Sequence, residues 1–498
     1  MSASYFDEIR TPDGTIRPHY EGVYKHWQSL RAATKRKLHR ESTKLFAGDY
    51  PQDPLPRVLT QNEFQTLRRG VEQRAEAIRA FLFDYYSRGE QWKKIIPPTV
   101  LRTIIERNHS ESVLGKLRPK TIAFPYGPDI IRDSSGRWRI VEDSAGILGG
   151  FGDLLTSRRI TGRLVPGFRP LLKEANDPKD FFRELASYFQ EKAGKADGIA
   201  LLHLRAFDTE PDHETQRLAR IFSSLGIEVS TTAGRTKQLS IEDDGIYLKT
   251  SGRKERVRYL VVRSGPEQLD LRTITIDIKD LDSGRNFGNT RTWQGILSAL
   301  KDGSIKSALL KGHALTNFSP GVHFVNDKMF GRFVDSMIGH FLGQTPILES
   351  IPSQPLAVRN KKGRWGLDRA AMRNVIRRKD QFVVKRVDED GGSGVWIGPK
   401  LTRRGFNKAM DVVRAEPERY ICQRFEHLSV LEDRIVDLRI HSHVDMEWII
   451  VSNSPWGRAN WIDHNGKVNL GSQGFTSPVL VVEDGTTSHE PPRNNSPR

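Results

Sequence analysis

The segment QFVVKRVDEDGGSGVWIG (381–398) carries residue types that hold phosphate groups. An apolar run ends on Lys385, a turn carries Gly391, Gly392, Ser393 and Gly394, and a second apolar run begins at Val395. Glycine lets backbone N–H groups approach phosphate oxygens, and a lysine at a strand end adds a fixed positive charge. The spacing is neither that of a P-loop nor that of a dinucleotide-binding turn, because a strand rather than a helix follows the glycines. An ordinary glycine-rich hairpin has the same pattern, and taken alone the two readings balance.

A second unit, DIIRDSSGRWRIVED (129–143), reads as two short strands around Ser-Ser-Gly. With a two-residue loop at Ser134-Ser135, Asp129 falls opposite Ile140, and Asp129, Glu142 and Ser144 share one face of the ribbon. A three-residue loop breaks that alignment. Hard oxygen ligands on one face suit magnesium bridging nucleotide phosphates. A solvent-facing acidic hairpin is the plain alternative.

The surroundings of the glycine turn weigh toward nucleotide. Upstream, NDKMFGRFV (326–334) opens a helix at Lys328. Downstream, RYICQRFEHLS (419–429) is a strand whose end, near Gln423, can present backbone groups to an adenine. VDLRIH (436–441), with Asp437 and Arg439, then precedes Arg458, Asn469 and Gln473. A lysine, a lysine-bearing glycine hairpin, a hinge strand and an arginine-bearing sheet follow one another in the ATP-grasp order.

An ATP-grasp chain normally closes on its acidic hairpin, whereas here the hairpin comes early. In this the chain resembles the circularly permuted ATP-grasp family, a bacterial family distantly similar to glutathionylspermidine synthase. The resemblance runs from about Tyr5 to Val482. It is carried by FDEIRTPDGTIRPHY (6–20), LPRVLTQNEFQTLRRGVEQRAEAIRAFLFDYY (55–86), the 129–143 hairpin, Gly150 with Arg158, VNDKMF (325–330), KGHALTN, FLGQTPILESIPS, FVVK with GGSG, YICQ, DLR and SQG. It implies that Asp129 and Glu142 help to hold magnesium (Mg2+), with Ser144 as a weaker third ligand. It implies that Lys328, Lys385, the 391–394 loop and Gln423 hold ATP, and that Arg439, with Arg458, faces the transferring phosphoryl group.

Three departures from the family pattern stand out. Ser144 occupies the place of an asparagine, and Ser-Ala-Gly-Ile-Leu-Gly-Gly (144–150) lacks the family's arginine near the acyl site. Asp388, Glu389 and Asp390 put like charge beside the phosphates unless their side chains are turned out or paired.

The implied activity is ATP-dependent carboxylate–amine ligation, forming an amide or peptide bond through an acyl phosphate. Small-molecule or peptide carboxylates and amines are the expected partners. The identity of acid and amine is expected to lie in the segments around 100–120, 144–150 and 265–295. Phosphate transfer to a hydroxyl on the same fold, or a degenerate ATP-grasp binding protein, are the alternatives.

The elements that must position these residues read as α+β and α/β. The spacing of Phe64, Leu67, Val71, Ile78 and Leu82 predicts a helix across 61–87 with one buried face. Residues 177–265 alternate helix and strand, predicting a small α/β layer. FGRFVDSMIGHFLG (330–343) reads as one helix, and VDLRIHSHVDMEWIIVS (436–452) as a strand pair. The predicted organisation is a helical region (1–125), the metal hairpin (126–176), an α/β substrate-side domain (177–300), the ATP-binding lobes (301–484) and a disordered tail (485–498).

Composition sets the bounds. A chain of 498 residues needs more than one core. No apolar run approaches the roughly 18 residues of a membrane span, and MSASYFDEIR lacks a signal-peptide pattern, so a cytoplasmic location is expected. The single cysteine, Cys422, excludes an internal disulfide and a cysteine-rich zinc site. No Gly-x-Ser-x-Gly elbow suggests a hydrolase. His441 and His443 lack an identifiable third ligand and read as strand packing or substrate contact rather than a metal site. The net charge of +17 allows a polyanion such as nucleic acid. Without aromatic-interleaved basic repeats, a solvated surface is the simpler reading.

Overall fold

The computed structural model describes residues 5–46, 50–107, 121–146, 148–193, 199–202, 213–227, 229–231, 239–242, 244–250, 253–262, 311–317, 321–360, 364–389, 392 and 394–484. Gly391, Ser393, Asp390, the 266–300 stretch and the 485–498 tail lie outside them.

The central sheet brings the two ends of the sequence together. Its strands run in the order Arg57–Thr60, Phe475–Val482, Trp456–Trp461, Arg434–Arg439, Asp129–Arg132, Trp138–Glu142 and Glu349–Ser350, with Val430–Leu431 pairing alongside Arg434–Arg439. The early hairpin docks antiparallel on a late strand, with Ile130 opposite Leu438 and Asp129 opposite Arg439. That pairing is what a permuted order requires of the fold.

A second, antiparallel sheet of Ser353–Pro355, Tyr420–Arg424, Phe382–Arg386 and Val395–Ile397 carries the phosphate-type segment. Helices Arg369–Arg377 and Arg403–Ala415 cover it, burying Met372, Val375, Phe406 and Met410 against Val384 and Cys422. A third, parallel sheet is formed by Leu315–Thr316, Tyr259–Val262, Ile199–Leu202 and Val229–Thr231. Helices Pro178–Ala193 and His213–Ser224 pack on it through Phe182, Phe189 and Phe222, as the alternation of residues 177–265 predicts.

The helix predicted across 61–87 spans Gln61–Tyr86 and starts at a capping box of Thr60 and Glu63. Phe64, Leu67, Val71, Ile78 and Leu82 are all buried. The same face buries Arg74, whose guanidinium donates to Asp143 at 2.9 and 2.7 Å and to Asp335 at 2.6 Å. The Tyr126 hydroxyl adds a bond of 2.6 Å to Asp143. A buried arginine is tolerable only with such partners. The network turns Asp143 into the core, away from its neighbour Glu142.

Two element assignments change. Residues 330–343 are not one helix: Lys328–Gly331 and Val334–Met337 are separate short helices, and Ile338–Leu342 is a π-turn closed by Gly343. Residues 436–452 are not one strand pair. Arg434–Arg439 belongs to the central sheet, while Ser442–Asp445 and Ile449–Val451 form a hairpin in another sheet with Ala123–Tyr126. Among the described residues no helix is long and apolar enough to cross a membrane.

Candidate active site

The hairpin that carries Asp129 and Glu142 closes through three residues rather than two. The Asp133 amide donates to the Arg137 carbonyl, and Gly136 takes a φ of +84°, a conformation that a side chain at that position would strain. The register is therefore Ile130 opposite Ile140 and Ile131 opposite Arg139. A bulge between Asp129 and Ile130 then places Asp129 directly opposite Glu142 rather than Ile140. The loop is one residue longer than expected, and the bulge restores the carboxylate pair by another route.

Asp129 and Glu142 line one cleft with Lys328, Lys385, Asp437 and Arg458. The cleft lies between the central sheet and the smaller antiparallel sheet. Ile131, Val383, Ile397, Ile351 and Phe425 supply its apolar walls. A flat aromatic group can pack between such walls while phosphates meet the charged end.

The charged end is dense. Arg439 donates to Asp129 at 2.9 and 2.6 Å, and Arg458 bridges Asp129 at 2.7 Å and Asp437 at 2.6 Å. Burial pushes the Asp129 carboxyl up, but the two guanidinium groups outweigh it and hold it below the usual carboxylate range. Burial raises the Asp437 carboxyl despite the pull of Arg458. The Lys328 ammonium stands 3.7 Å from Glu142 and donates to the Glu389 carbonyl at 2.6 Å. Burial pushes the Lys385 ammonium down to about 8; Lys328 adds to the fall, and Glu142 and Asp129 oppose it.

That lowered value has a sign that can be tested. Phosphate binds the ammonium form, so binding above pH 8 requires a proton to be taken up. ATP affinity is expected to weaken as pH rises through about 8, by up to roughly tenfold per pH unit, in a calorimetric titration series. Lys385→Arg, which stays charged, should flatten that limb.

The glycine turn folds against the loop before the last strand. Gly392 has a φ of +83° and lies against Asn469 and Ser472, and Lys467 donates to its carbonyl at 2.8 Å. Gly394 closes the turn onto the Arg386 amide. The acidic side chains beside the turn are paired: Asp388 with Arg386 and Arg419, and Glu389 with Arg386 at 3.2 Å. Gly391 and Ser393, expected here as phosphate contacts, lie outside the described residues.

Other expected residues fall as follows. Gln423 lines the cleft and donates at 3.1 Å to the Val141 carbonyl, tying the hinge strand to the acidic hairpin. Arg458 lines the cleft, whereas Arg439 does not; it stands behind Asp129, with Gly149 as a further acceptor at 3.4 Å. Ser144 is not among the cleft's lining residues, and its carbonyl accepts from Gly127 at 2.9 Å. The strand ends at Glu142, so alternation no longer carries Ser144 to the same face. Among the described residues no group of three or more His, Cys, Asp or Glu is arranged to hold a metal.

Lys467 is a cleft residue that the sequence does not announce, whereas Phe425, Glu426 and Leu428 lie at the end of the segment expected to meet an adenine. Lys467 lies in a loop, where only Gly466 hints at a close approach. His443 is buried, and its ring packs on Tyr188 at 4.7 Å. Cys422 is buried, with burial pushing its thiol up to about 11.

Comparison with known proteins places this geometry. The family model described as circularly permuted ATP-grasp type 2 matches residues 56–454. A Frankia alni protein provisionally named a glutamate–cysteine ligase is 25% identical over 472 residues, covering 90% of this chain and 50% of that protein. A Frankia casuarinae protein with the same kind of name is 24% identical, covering 89% of this chain and 50% of its own length. The chain thus spans about half the length of these two relatives. An uncharacterised Mycobacterium leprae protein is 24% identical, covering 91% and 76%. Among solved structures, an apo glutathione synthetase-like effector from Globodera pallida superposes with a TM-score of 0.53 at 11% identity, covering 91% of this chain and 98% of that one. At that identity the likeness is one of fold.

Proposed function

The chain belongs to the circularly permuted ATP-grasp type 2 family, and on that premise we propose that it is an ATP- and magnesium-dependent ligase joining a carboxylate to an amine. The observation that carries the proposal is the placing of Asp129 and Glu142 opposite one another, in the same cleft as Lys328, Lys385 and Arg458. The cleft's charged end offers paired carboxylates, two lysines and an arginine, groups that act by positioning and charge neutralisation.

In this reading Lys328, Lys385 and the glycine turn hold the triphosphate, and the apolar walls hold adenine. Asp129 and Glu142 would hold magnesium, which when bound would neutralise phosphate charge; one or two carboxylates plus phosphate oxygens is its usual company. Arg458 orients the γ-phosphoryl group, and Arg439 acts through Asp129 by fixing its carboxylate. The substrate carboxylate attacks the γ-phosphorus, the bond to the ADP oxygen breaks, and an acyl phosphate forms. The amine then attacks the acyl carbon, phosphate leaves and the amine gives up a proton.

The names of the Frankia relatives favour amino-acid-sized acids and amines, and we take small-molecule or peptide carboxylates and amines as the substrate class. A cytoplasmic location belongs to the same reading. The test is ADP release with ATP, magnesium and a panel of amino acids, short peptides and polyamines. ADP formation that needs both a carboxylate and an amine is the expected result. Release that needs only a hydroxyl compound would make the protein a phosphotransferase.

A further inference from the structure

A second cavity, of about 640 Å³, opens between helices Leu154–Leu164 and His213–Ser224. We propose that it binds a compact ligand carrying two or more phosphate groups.

Seven lining residues are Arg or Lys, and among the described lining residues the only acid is Asp177. Two of the seven are committed to the fold. Arg158 donates to the carbonyls of Asn176 at 2.8 Å and Ala175 at 3.0 Å. Arg217 pairs with Asp153 at 2.5 Å and donates to the Phe46 carbonyl at 3.0 Å. These two form the floor.

The other five are Arg159, Arg163, Arg169, Lys179 and Arg220, and all are exposed. None forms a salt bridge to a described carboxylate; Arg169 reaches the Gly162 carbonyl at 3.1 Å and Arg220 touches Gln216 at 3.5 Å. Arg159 and Arg163 lie one turn apart on a single helix, so their guanidinium groups repel one another there. Folding gains nothing from crowding like charges around a concavity. A concave site focuses their field on an anion, and guanidinium groups match phosphate oxygens in bidentate geometry.

The lining also narrows the class of ligand. Its uncharged part is Leu155, Leu172, Ile221, Thr156, Ser224 and Gly162, and no aromatic ring on which a nucleobase could stack is among the described lining residues. Single-stranded nucleic acid is bound by such stacking platforms along an open groove. A compact polyanion needs only charge and concavity. No lining residue is shared with the ATP cleft, so this is a separate site from that of the nucleotide's triphosphate.

The test is a calorimetric titration with inorganic tripolyphosphate while the ATP cleft is saturated with ADP. One saturable event is expected. Arg159→Ala combined with Arg163→Ala should weaken it by roughly tenfold or more, since both contacts are charge-assisted. Arg159→Lys with Arg163→Lys should keep most of the affinity, and ADP affinity should be equal in all three proteins. Four outcomes would overturn the proposal: no saturable event, equal binding by the double alanine variant, loss of the event in Lys385→Ala, or displacement of tripolyphosphate by a mixed-sequence RNA oligonucleotide at a lower phosphate concentration.

Discussion

Lys385→Ala should weaken ATP binding by about tenfold to a hundredfold while leaving the protein as stable as before, or more so. One charge-assisted phosphate contact is worth roughly 1.5–3 kcal/mol. The stability half of the statement follows from burial. Burial pushes the Lys385 ammonium down, so the unfolded chain holds its proton more tightly than the folded one. At neutral pH that charge costs the fold free energy, and the bound triphosphate returns it. Removing the side chain removes the cost and the contact together. Titration calorimetry and thermal unfolding on the same variant read the two effects separately. A variant that binds ATP as the wild type does would take the triphosphate out of this end of the cleft.

Asp129→Asn is expected to have the largest effect of any single change, on both turnover and stability. The Asp129 carboxylate accepts from Arg439 and Arg458 at once, and both arginines are buried. Breaking a buried pair of this kind costs roughly 3–5 kcal/mol, because a charge is left without its partner. The sign against pH follows from the lowered carboxyl. The ionised group stabilises the fold above its unfolded value of about 3.9, and that contribution is lost as pH falls through and below it. The amide variant lacks this contribution at every pH, so its denaturation midpoint should lie below wild type at pH 7 and converge with it in acid. Turnover should fall by at least about a hundredfold to a thousandfold, as for loss of a preorganised electrostatic group. Glu142→Gln separates the two roles, since Glu142 is partly exposed and its nearest cation is Lys328 at 3.7 Å. It should lose turnover and magnesium dependence yet unfold like the wild type.

Much of this arrangement could be read from the residues, and the parts that could not share a cause. The helix Gln61–Tyr86 announced itself because one face carries regularly spaced apolar residues, and all of those named are buried. The inward turn of Asp143 is set by Arg74 and Tyr126, which bond its carboxylate from two other elements. The bulge at Asp129 did not show in the sequence, because it arises where the hairpin docks on Arg434–Arg439, a strand about 300 positions away in sequence. The break after Arg439 was hidden for a similar reason: the apolar pattern runs on while the chain changes sheets. Arg439 was expected to face the phosphoryl group, but its pairing with Asp129 places it behind the carboxylate rather than on the cleft wall. Lys467 sits in a loop with no periodicity to announce it.

The proposed ligase activates a substrate carboxylate by phosphoryl transfer in the cleft shared by Lys328, Lys385, Asp129 and Glu142. Labelling that carboxylate with heavy oxygen and identifying the products by mass spectrometry tests this step most directly. If an acyl phosphate forms, one labelled oxygen leaves on inorganic phosphate, ADP is the sole nucleotide product and no pyrophosphate appears. AMP with pyrophosphate would mean adenylation, and unlabelled phosphate would mean plain ATP hydrolysis; either result contradicts the mechanism.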